Sequence, residues 1–377
     1  MYVMLLMHKV YRYRLYPTKA QEKTMEHMLE LCRITYNETL AYRKDVYKKE
    51  GKTVSNYESH NLLPQWKKEY PDLKNVFSQT LQEVQERVDL AYRHFFRRVK
   101  NGDNPGFPRF KGEGWYDSFT YPQMGFKLDG DTLYLSKIGG VWIRLHRPVP
   151  GEIKRVTIRR SACKKWYACL TVEADIHVVE KKGRPAVGVD MGLSSFATMS
   201  NGRKVLNPRF FRSEEKELAR VQRKLANTEK GTVERKNRAK VVRRVHERIA
   251  NKRYDFVHRL SRSLVDEYGV IAFEDSNIKE MRNHCLAKSV GGAAWNMLIT
   301  VTRYKAESAG TIVALVNPAY TSKLCSRCGL LVERLSDRVH ECPGCGLVMG
   351  RDENAAVNIL RLGLQSVGIR TVEAHGL

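Results

Sequence analysis

The spacing of apolar side chains predicts long amphipathic helices in the N-terminal third of the chain. Thr18 and Gln21 fit a capping box, in which each side chain accepts a hydrogen bond from the other residue's backbone N–H group. Apolar residues then recur at helical spacing at Met25, Leu29, Cys32, Tyr36 and Leu40. A later helix carries a second stripe, for which we expect core packing, at Phe77, Leu81, Val84, Val88, Ala91, Phe95 and Val99.

Alternating side chains predict strands in two further places. HKVYRYRLYP alternates near the N terminus and ends at Pro17. Between residues 125 and 173, the runs GFKLDGDTLYLSKIG, VWIRLHRP, RVTIRRSA and WYACLTVE follow one another at short intervals, and the first contains an Asp-Gly-Asp turn. We therefore predict a small antiparallel β-barrel that the N-terminal strand joins.

Beyond residue 186 the pattern becomes that of an α/β unit. AVGVD, VIAFE and TIVALVNP are typical of buried strands, and SFATMSNGRKVLN of a hairpin with an Asn-Gly turn. AAWNMLITVTRYKAESAG predicts a helix that ends at Gly310, and DENAAVNIL a final helix. Two helices in a hairpin are predicted by Leu218, Val221 and Leu225 and then by Val241, Val245, Ile249, Phe256 and Leu260. The order of these elements favours an RNase H-like sheet.

The chain is strongly basic, since its 377 residues carry a formal net charge of +25. The most basic stretch, residues 203–262, has 20 Lys or Arg and seven Asp or Glu, with Arg243 and Arg244 inside the predicted hairpin. A polyanion is the expected partner, and binding should weaken steeply with salt. A merely soluble basic protein, or a solvated helix face, is the alternative.

Basic and polar side chains next to aromatic rings add three candidates for nucleic-acid contact. Arg109 and Lys111 alternate with Phe107 and Phe110 in the loop NGDNPGFPRFKG, which can clamp a nucleic-acid backbone or serve as a packed linker. Gln79 lies beside the second apolar stripe and can meet a nucleobase.

We expect an intracellular protein without a membrane segment. No run of about 18 apolar residues is present, and MYVMLLM lacks the basic flank of a signal peptide. Four of the eight cysteines form two tight pairs, and this suits a reducing compartment with one metal site. The expected location is the bacterial or archaeal cytoplasm, in association with the nucleoid.

Three acids stand where two divalent cations would need ligands. Asp190 and Glu274 end apolar strands, and Asp352 opens the last helix. Carboxylates at such positions can hold two metal ions around a phosphodiester. Each acid also has a simpler explanation, since an acid after a strand is commonly a turn former and Asp352 can be a helix cap.

The two cysteine pairs are the most specific motif. Cys325 and Cys328 form CSRC, and 13 residues later Cys342 and Cys345 form CPGC. Four thiolates on two knuckle turns satisfy tetrahedral Zn²⁺, which predicts one closed, structural zinc site. Two disulfides are the alternative, and they are rare inside cells.

Four motifs in this order, VGVDMGLSSFATMSNG, FEDSNIKEM, NPAYTSKLCSRCG and GRDENAAVNIL, resemble the transposon-encoded TnpB family. This family is regarded as ancestral to type V CRISPR effectors. YRYRLYPTKAQ and GFKLDGDTLYLSKIG are similar to its N-terminal part, so the resemblance covers nearly the whole chain. It implies a multidomain α+β fold in which a helical recognition domain interrupts a wedge β-barrel, and a RuvC nuclease domain with an inserted zinc ribbon follows.

The resemblance also places the domains. It implies a wedge strand at 1–16, a helical recognition domain at 17–112, and a wedge barrel at 113–183. A RuvC domain would span 184–319 with the basic hairpin at 208–268, and a zinc ribbon 320–349. Residues 350–377 would form the last RuvC helix and a tail.

The implied activity is that of a Mg²⁺-dependent, RNA-guided DNA endonuclease. The family's catalytic acids map onto Asp190, Glu274 and Asp352, which would hold two Mg²⁺, and its zinc ligands map onto the four cysteines above. The expected partners are a guide RNA made from the transposon end and a double-stranded DNA target that carries a short adjacent motif. We expect a monomer bound to RNA. The alternatives are a nuclease-inactive, RNA-guided repressor and a guide-free enzyme of the resolvase or transposase type.

Overall fold

The computed structural model describes residues 2–179, 183–192, 194–208, 210–275, 290–333 and 338–368. The chain forms two compact units, one of Leu6–Asp175 and one of Met1–Leu5 with Ile176–Leu377. Among the described ranges, every helix is too short or too polar to cross a lipid bilayer.

The first unit contains four α-helices, one 3₁₀ helix and seven strands. Its helices are α1 (Lys19–Glu50), α2 (Asn56–His60), α3 (Leu63–Glu69), the 3₁₀ helix (Pro71–Asn75) and α4 (Ser78–Lys100). Its strands are β1 (Tyr2–Tyr16), β2 (Ser118–Tyr121), β3 (Phe126–Asp129), β4 (Thr132–Leu135), β5 (Gly139–Arg144), β6 (Glu152–Arg160) and β7 (Trp166–Val179).

Helix α1 begins as predicted, because Thr18 and Gln21 form the capping box and the predicted apolar stripe is buried. The stripe of α4 is buried only in its first half. Leu81, Val84 and Val88 are fully covered, whereas Val99 is 50% exposed. Core packing therefore accounts for the first turns of α4, and the prediction is wrong for Val99, which lies in the exposed last turn of the helix.

The strands of this unit form one sheet in the order β2-β6-β7-β1-β5-β4-β3. As predicted, the N-terminal strand joins it, and an Asp-Gly-Asp turn with Gly130 at φ +50° links β3 to β4. The sheet is nearly closed, since Tyr121 at the end of β2 donates a hydrogen bond of 2.8 Å to the carbonyl of Ser136 just beyond β4. Every second side chain enters the core, as Leu133 and Leu135 do on β4.

The second unit contains four α-helices and seven strands within the described ranges. Its strands are β8 (Ala186–Asp190), β9 (Ser195–Met199), β10 (Lys204–Leu206), β11 (Val270–Glu274), β12 (Ile312–Val316), β13 (Val339–Glu341) and β14 (Val348–Gly350). Its helices are α5 (Phe210–Ala226), α6 (Val233–Glu267), α7 (Val290–Ala309) and α8 (Arg351–Ser366).

Five of these strands form a mixed sheet in the order β10-β9-β8-β11-β12. Strands β8, β11 and β12 are parallel, and β9 and β10 complete an antiparallel hairpin that turns at the predicted Asn-Gly pair, with Gly202 at φ +81°. This arrangement agrees with the predicted α/β unit. Helix α7 also ends as predicted, because Gly310 takes up φ +66°.

Helices α5 and α6 form the predicted hairpin around a small apolar core. Val221, Val242, Val245 and Ile249 are buried there, and Leu218 and Leu225 pack against them. The prediction was wrong at one position, because Val241 is 42% exposed and Val242 faces α5 instead. Adjacent residues point about 100° apart around a helix, so Val242 can pack against α5 while Val241 points towards solvent.

Candidate active site and cysteine cluster

Two of the predicted acids end neighbouring parallel strands. Val189 on β8 pairs with Phe273 on β11, so Asp190 and Glu274 are the next residues along each strand. Strands in a sheet lie about 4.8 Å apart, and residues at matching positions point to the same face. The sheet register therefore brings these two carboxylates together at the carboxyl ends of the two strands.

Helix α8 brings the third acid to the same face of the sheet. A Cβ atom added to Gly188 would lie 2.1 Å from the carbonyl oxygen of Ala356, so α8 lies directly on β8 at this glycine. Asp190 is two residues after Gly188 and shares its face. Asp352 is one helical turn before Ala356 and therefore lies over the end of the strand.

The three acids are close enough for the charges of two of them to affect the pKa of the third. Burial raises the pKa of Asp190 to about 7, and the negative charges of Glu274 and Asp352 contribute to the rise. Burial also raises the pKa of Glu274. Asp352 accepts a hydrogen bond of 3.2 Å from the hydroxyl of Ser194, and Arg351 Nε lies 3.9 Å from its Oδ1 atom.

Neither simple explanation accounts for the positions of these acids. Gly350 is the N-cap residue of α8, so Asp352 lies inside the first turn and is not the cap. Asp190 belongs to β8 itself, where it pairs with Thr198, and is not a turn residue. Two carboxylates of raised pKa beside a third form a site that a divalent cation would stabilise, because the cation offsets their mutual repulsion.

The oxygen donors fit Mg²⁺, which prefers carboxylate ligands. Among the described residues, ligand atoms of three or more acids, histidines or cysteines lie within 4.8 Å of one another only in the cysteine cluster. The three acids are not such a group. Ligands of a two-metal centre are shared between ions about 3.5–4 Å apart, so they need not all lie within the reach of one ion.

We expect Asp190→Asn to stabilise the protein in buffer without added Mg²⁺, and more so at pH 8 than at pH 5.5. The pKa of Asp190 is raised in the folded state, so the protonated form of this carboxyl favours folding. That contribution to stability is lost progressively as the pH rises from about 4 to about 7 and the carboxyl ionises. Asparagine removes that loss, and the gain at pH 8 should be about 1 to 3 kcal/mol. Urea unfolding at both pH values measures it, with the exposed Asp129→Asn as control. An equal gain at both pH values would contradict this assignment.

The four cysteines form a compact cluster. Their sulfur atoms lie within 4.8 Å of one another, with 3.6 Å between Cys325 and Cys345 and 3.5 Å between Cys328 and Cys342. Sulfur atoms around a tetrahedral zinc ion with bonds of about 2.3 Å would lie roughly 3.8 Å apart. The cluster can therefore bind zinc, and its four cysteines are not joined by disulfide bonds, which excludes the alternative of two disulfides in the ribbon.

Both cysteine pairs lie on equivalent turns. The N–H group of Cys325 donates to the carbonyl of Leu330, and Gly329 donates to the carbonyl of Cys325. Cys342 makes the same bonds with Leu347 and Gly346. The two glycines have φ +77° and +70°, a left-handed backbone that side chains disfavour, and this explains the glycine that follows each second cysteine.

The five residues predicted to contact nucleic acid lie in three separate places. Arg243 and Arg244 are exposed on α6, and Arg109 is exposed in its loop. Lys111 is half-buried, with its Nζ atom 5.6 Å from the ring of Tyr36 and its backbone bonded to Asn37. Gln79 is half-buried in the first turn of α4, and its Oε1 atom has no partner among the described residues.

Sequence reasoning missed four residues that shape this site. They are Gly188, which lets α8 approach β8, Ser194, which bonds to Asp352, and Asn354 and Asn358 on α8. Only Gly188 left a signal, since a glycine inside a strand marks close approach of another backbone. The segment 276–289, which contains most of FEDSNIKEM, lies outside the described residues, as do Cys285 and the tail 369–377.

Comparisons with known proteins cover nearly the whole chain. The profile of the OrfB family of IS605 elements, described as "Probable transposase", matches residues 168–284, and one described as "Cas12f1-like, TNB domain" matches residues 295–359. A third, described as a helix-turn-helix domain, matches residues 4–52. In the structure that segment is strand β1 followed by the single helix α1.

Two relatives place the chain in a family, and one solved structure shares its fold. It is 33% identical to a "Putative RNA-guided DNA endonuclease" of Streptomyces pristinaespiralis, over 94% of this chain and 89% of the relative. It is 30% identical to "Putative RNA-guided DNA endonuclease InsQ" of Escherichia coli K12, over 94% and 92%. Its fold resembles the protein in a cryo-EM structure of a Cas12f1-sgRNA-target DNA complex, with a TM-score of 0.59, 14% identity, and coverage of 94% and 98%. The chain therefore belongs to the TnpB family, the OrfB proteins of IS605-type transposons.

Proposed function

We propose that this protein is an RNA-guided DNA endonuclease that cleaves DNA complementary to its guide RNA. The convergence of Asp190, Glu274 and Asp352 on one face of the mixed sheet is the observation that carries the proposal. The names of the two relatives described above support it, as does the surplus of positive charge.

The finer assignments extend this proposal. The mixed sheet with α7 and α8 would be an RNase H-like RuvC domain, and the nearly closed sheet a wedge domain that the helices of the first unit interrupt. The domain boundaries given above stay predictions. The guide RNA would come from the transposon end, the target would carry a short adjacent motif, and the protein would act as a monomer with its RNA.

In the proposed mechanism Asp190, Glu274 and Asp352 would hold two Mg²⁺. The ions would supply Lewis acidity, which polarises a phosphodiester and favours the ionisation of water at neutral pH. The hydroxyl of Ser194 keeps Asp352 oriented by its hydrogen bond. Arg351 lies beside the same carboxylate and would offer a positive charge to a phosphate bound there. The site would cut the exposed single strand first and its partner afterwards.

The cysteine cluster would hold one structural Zn²⁺ through four thiolates. Four protein ligands leave no open position for water, so the ion would stabilise the ribbon and take no part in hydrolysis. The chain would need this ion because residues 320–349 are too few to bury a core of their own.

The basic hairpin of α5 and α6 would contact nucleic-acid backbone. We expect the double variant Arg243→Glu, Arg244→Glu to weaken binding of guide RNA or target DNA by about tenfold or more, uniformly across sequences. The slope of log affinity against log salt should fall by about 2, because each lost phosphate contact releases about one counterion fewer. Arg243→Lys, Arg244→Lys keeps the charge and should bind normally. An unchanged salt slope in the Glu variant would argue against contact at these residues.

A cleavage experiment separates the proposal from its two alternatives. Purified protein loaded with its copurifying RNA should cut a plasmid whose target matches the guide part of that RNA, in the presence of Mg²⁺. RNase digestion before the assay should abolish cutting. Cutting that survives RNase would favour the guide-free resolvase or transposase type, and guided binding without cutting would favour a repressor.

A further inference from the structure

The helix that carries Asp352 is tied to the first cysteine turn by a buried side-chain amide. Asn354 on α8 is fully buried. Its Nδ2 group donates a hydrogen bond of 2.8 Å to the carbonyl of Leu324, and its Oδ1 atom accepts one of 2.9 Å from the N–H group of Ser326. The two bonds bracket Cys325, so this amide holds the backbone on both sides of one thiolate.

A second amide one helical turn later reinforces the first. Asn358 is 1% exposed, and its Nδ2 group donates to the carbonyls of Leu324 at 2.7 Å and Thr321 at 2.9 Å. The carbonyl of Leu324 therefore accepts one bond from each asparagine. Four hydrogen bonds from two side chains join α8 to residues 321–326.

Asparagine is a poor choice for helix stability alone. Its helix propensity is below that of alanine or leucine, and its amide groups are costly to bury unless they are bonded. Two asparagines spaced i, i+4 put both amides on one face of α8, towards the cysteine turn. The four hydrogen bonds therefore explain why asparagine occupies both positions, since helix stability alone would favour another residue.

Helix α8 is held from two directions. On one side Gly188 of β8 meets Ala356, and Gly363 meets Ala272 of β11. On the other side the two asparagines meet the cysteine turn. Asp352 lies two residues before Asn354 in the first turn of the helix, where no capping side chain restrains the backbone. A backbone hydrogen bond of 3.0 Å from the N–H group of Arg351 to the carbonyl of Arg338 also holds this end of α8, and the asparagines add side-chain restraints two and six residues after Asp352.

We propose that Asn354 and Asn358 are positioning residues, which couple the order of the cysteine turn to the position of Asp352. The inference rests on the proposed function, since it takes Asp352 as a ligand of the catalytic metal. Groups that orient a metal ligand from outside the coordination sphere typically change metal affinity or activity by 10- to 100-fold. Loss of these amides should therefore act through the affinity for Mg²⁺.

Asn354→Ala is the first variant to test. We expect the Mg²⁺ concentration for half-maximal cleavage to rise about tenfold, and excess Mg²⁺ to restore much of the rate. Binding of target DNA by the RNA-loaded protein should be unchanged. Without nucleic acid, Mn²⁺ titrated into the protein and followed by electron paramagnetic resonance should bind more weakly, and the Ser326 amide should exchange its hydrogen faster.

A matched control on the same helix distinguishes positioning from a general loss of stability. Ile359 is fully buried against Ala272, Ala314 and Val316, on the sheet side of α8. Ile359→Val should lower stability by about 1 kcal/mol and leave the Mg²⁺ dependence unchanged. If Asn354→Ala does not fold, Asn358→Ala replaces it, because Leu324 then keeps its bond from Asn354.

Two results would overturn the inference. One is a wild-type Mg²⁺ dependence and Mn²⁺ affinity in both asparagine variants, and the other is an equal shift in Ile359→Val. Asp352→Asn identifies the source of a failure. If Asp352→Asn abolishes cleavage while the asparagine variants behave as wild type, only the positioning role is wrong. If Asp352→Asn cleaves normally, the proposed nuclease centre is wrong as well.

Discussion

Asp190→Ala will abolish cleavage of a target plasmid by the RNA-loaded protein, with a rate loss of at least about 10³-fold. The charges of Glu274 and Asp352 both act on the Asp190 carboxyl, and its removal would leave two acids to hold two ions. Loss of several kcal/mol of transition-state stabilisation corresponds to this factor, since each 1.36 kcal/mol is tenfold in rate. Single-turnover cleavage at saturating Mg²⁺ measures it.

Binding should separate from cleavage in this variant. Asp190 contributes a negative charge near the expected path of a phosphate backbone, so its loss should not weaken binding of target DNA by more than about threefold. Asp129→Asn on β3 removes an acid that is 66% exposed and should cleave at the wild-type rate. If Asp190→Ala still cleaves the target, Asp190 is not catalytic and the two-metal mechanism is wrong.

We expect Cys325→Ser to abolish metal binding by the cysteine cluster and to unfold that part of the chain. Zinc binding to such sites contributes folding energy on the order of 10 kcal/mol, and serine is a poor zinc ligand. The effect should reach the acids, because the backbone on both sides of Cys325 is bonded to α8. Metal content by mass spectrometry, limited proteolysis of residues 320–349 and the cleavage rate should all fall together.

Cys169→Ser provides the matched control. Cys169 is a half-buried free thiol on β7, in the other unit, and the same replacement there should leave metal content and cleavage unchanged. Full metal content in Cys325→Ser would exclude the four-thiolate site. A metal-free variant that still cleaved normally would show that the ribbon and the acids are independent.

Much of the fold could be predicted from local pattern. The stripe from Met25 to Leu40 is buried because its period matches one face of a helix, whatever that helix packs against. Turns at Gly130, Gly202 and Gly310 follow from the backbone freedom of glycine. The misassignment of Val241 shows the limit of this reasoning, since two adjacent apolar residues fit the same pattern and only the partner helix selects one.

The candidate site could likewise be predicted only in part. Cys325 and Cys328 could be predicted as a pair because a CxxC turn brings both thiolates together within four residues. The position of Asp190 at the end of a strand was also visible in the sequence. Its approach to Glu274 depends on the register of two strands that lie about 80 residues apart in the chain, and this register follows from pairing and not from either segment alone.

The sequence by itself was enough to predict the helices and strands, the cysteine turns and the positions of the three acids at the ends of these elements. Each of these features depends on residues that are close together in the chain. Tertiary structure decided which face of the sheet the acids share, since α8 can reach β8 only where Gly188 has no side chain. It also decided the role of Asn354 and Asn358, whose partners belong to another segment. An amide side chain in a helix has no pattern of its own, and its function exists only where folding brings unpaired backbone groups within hydrogen-bonding distance.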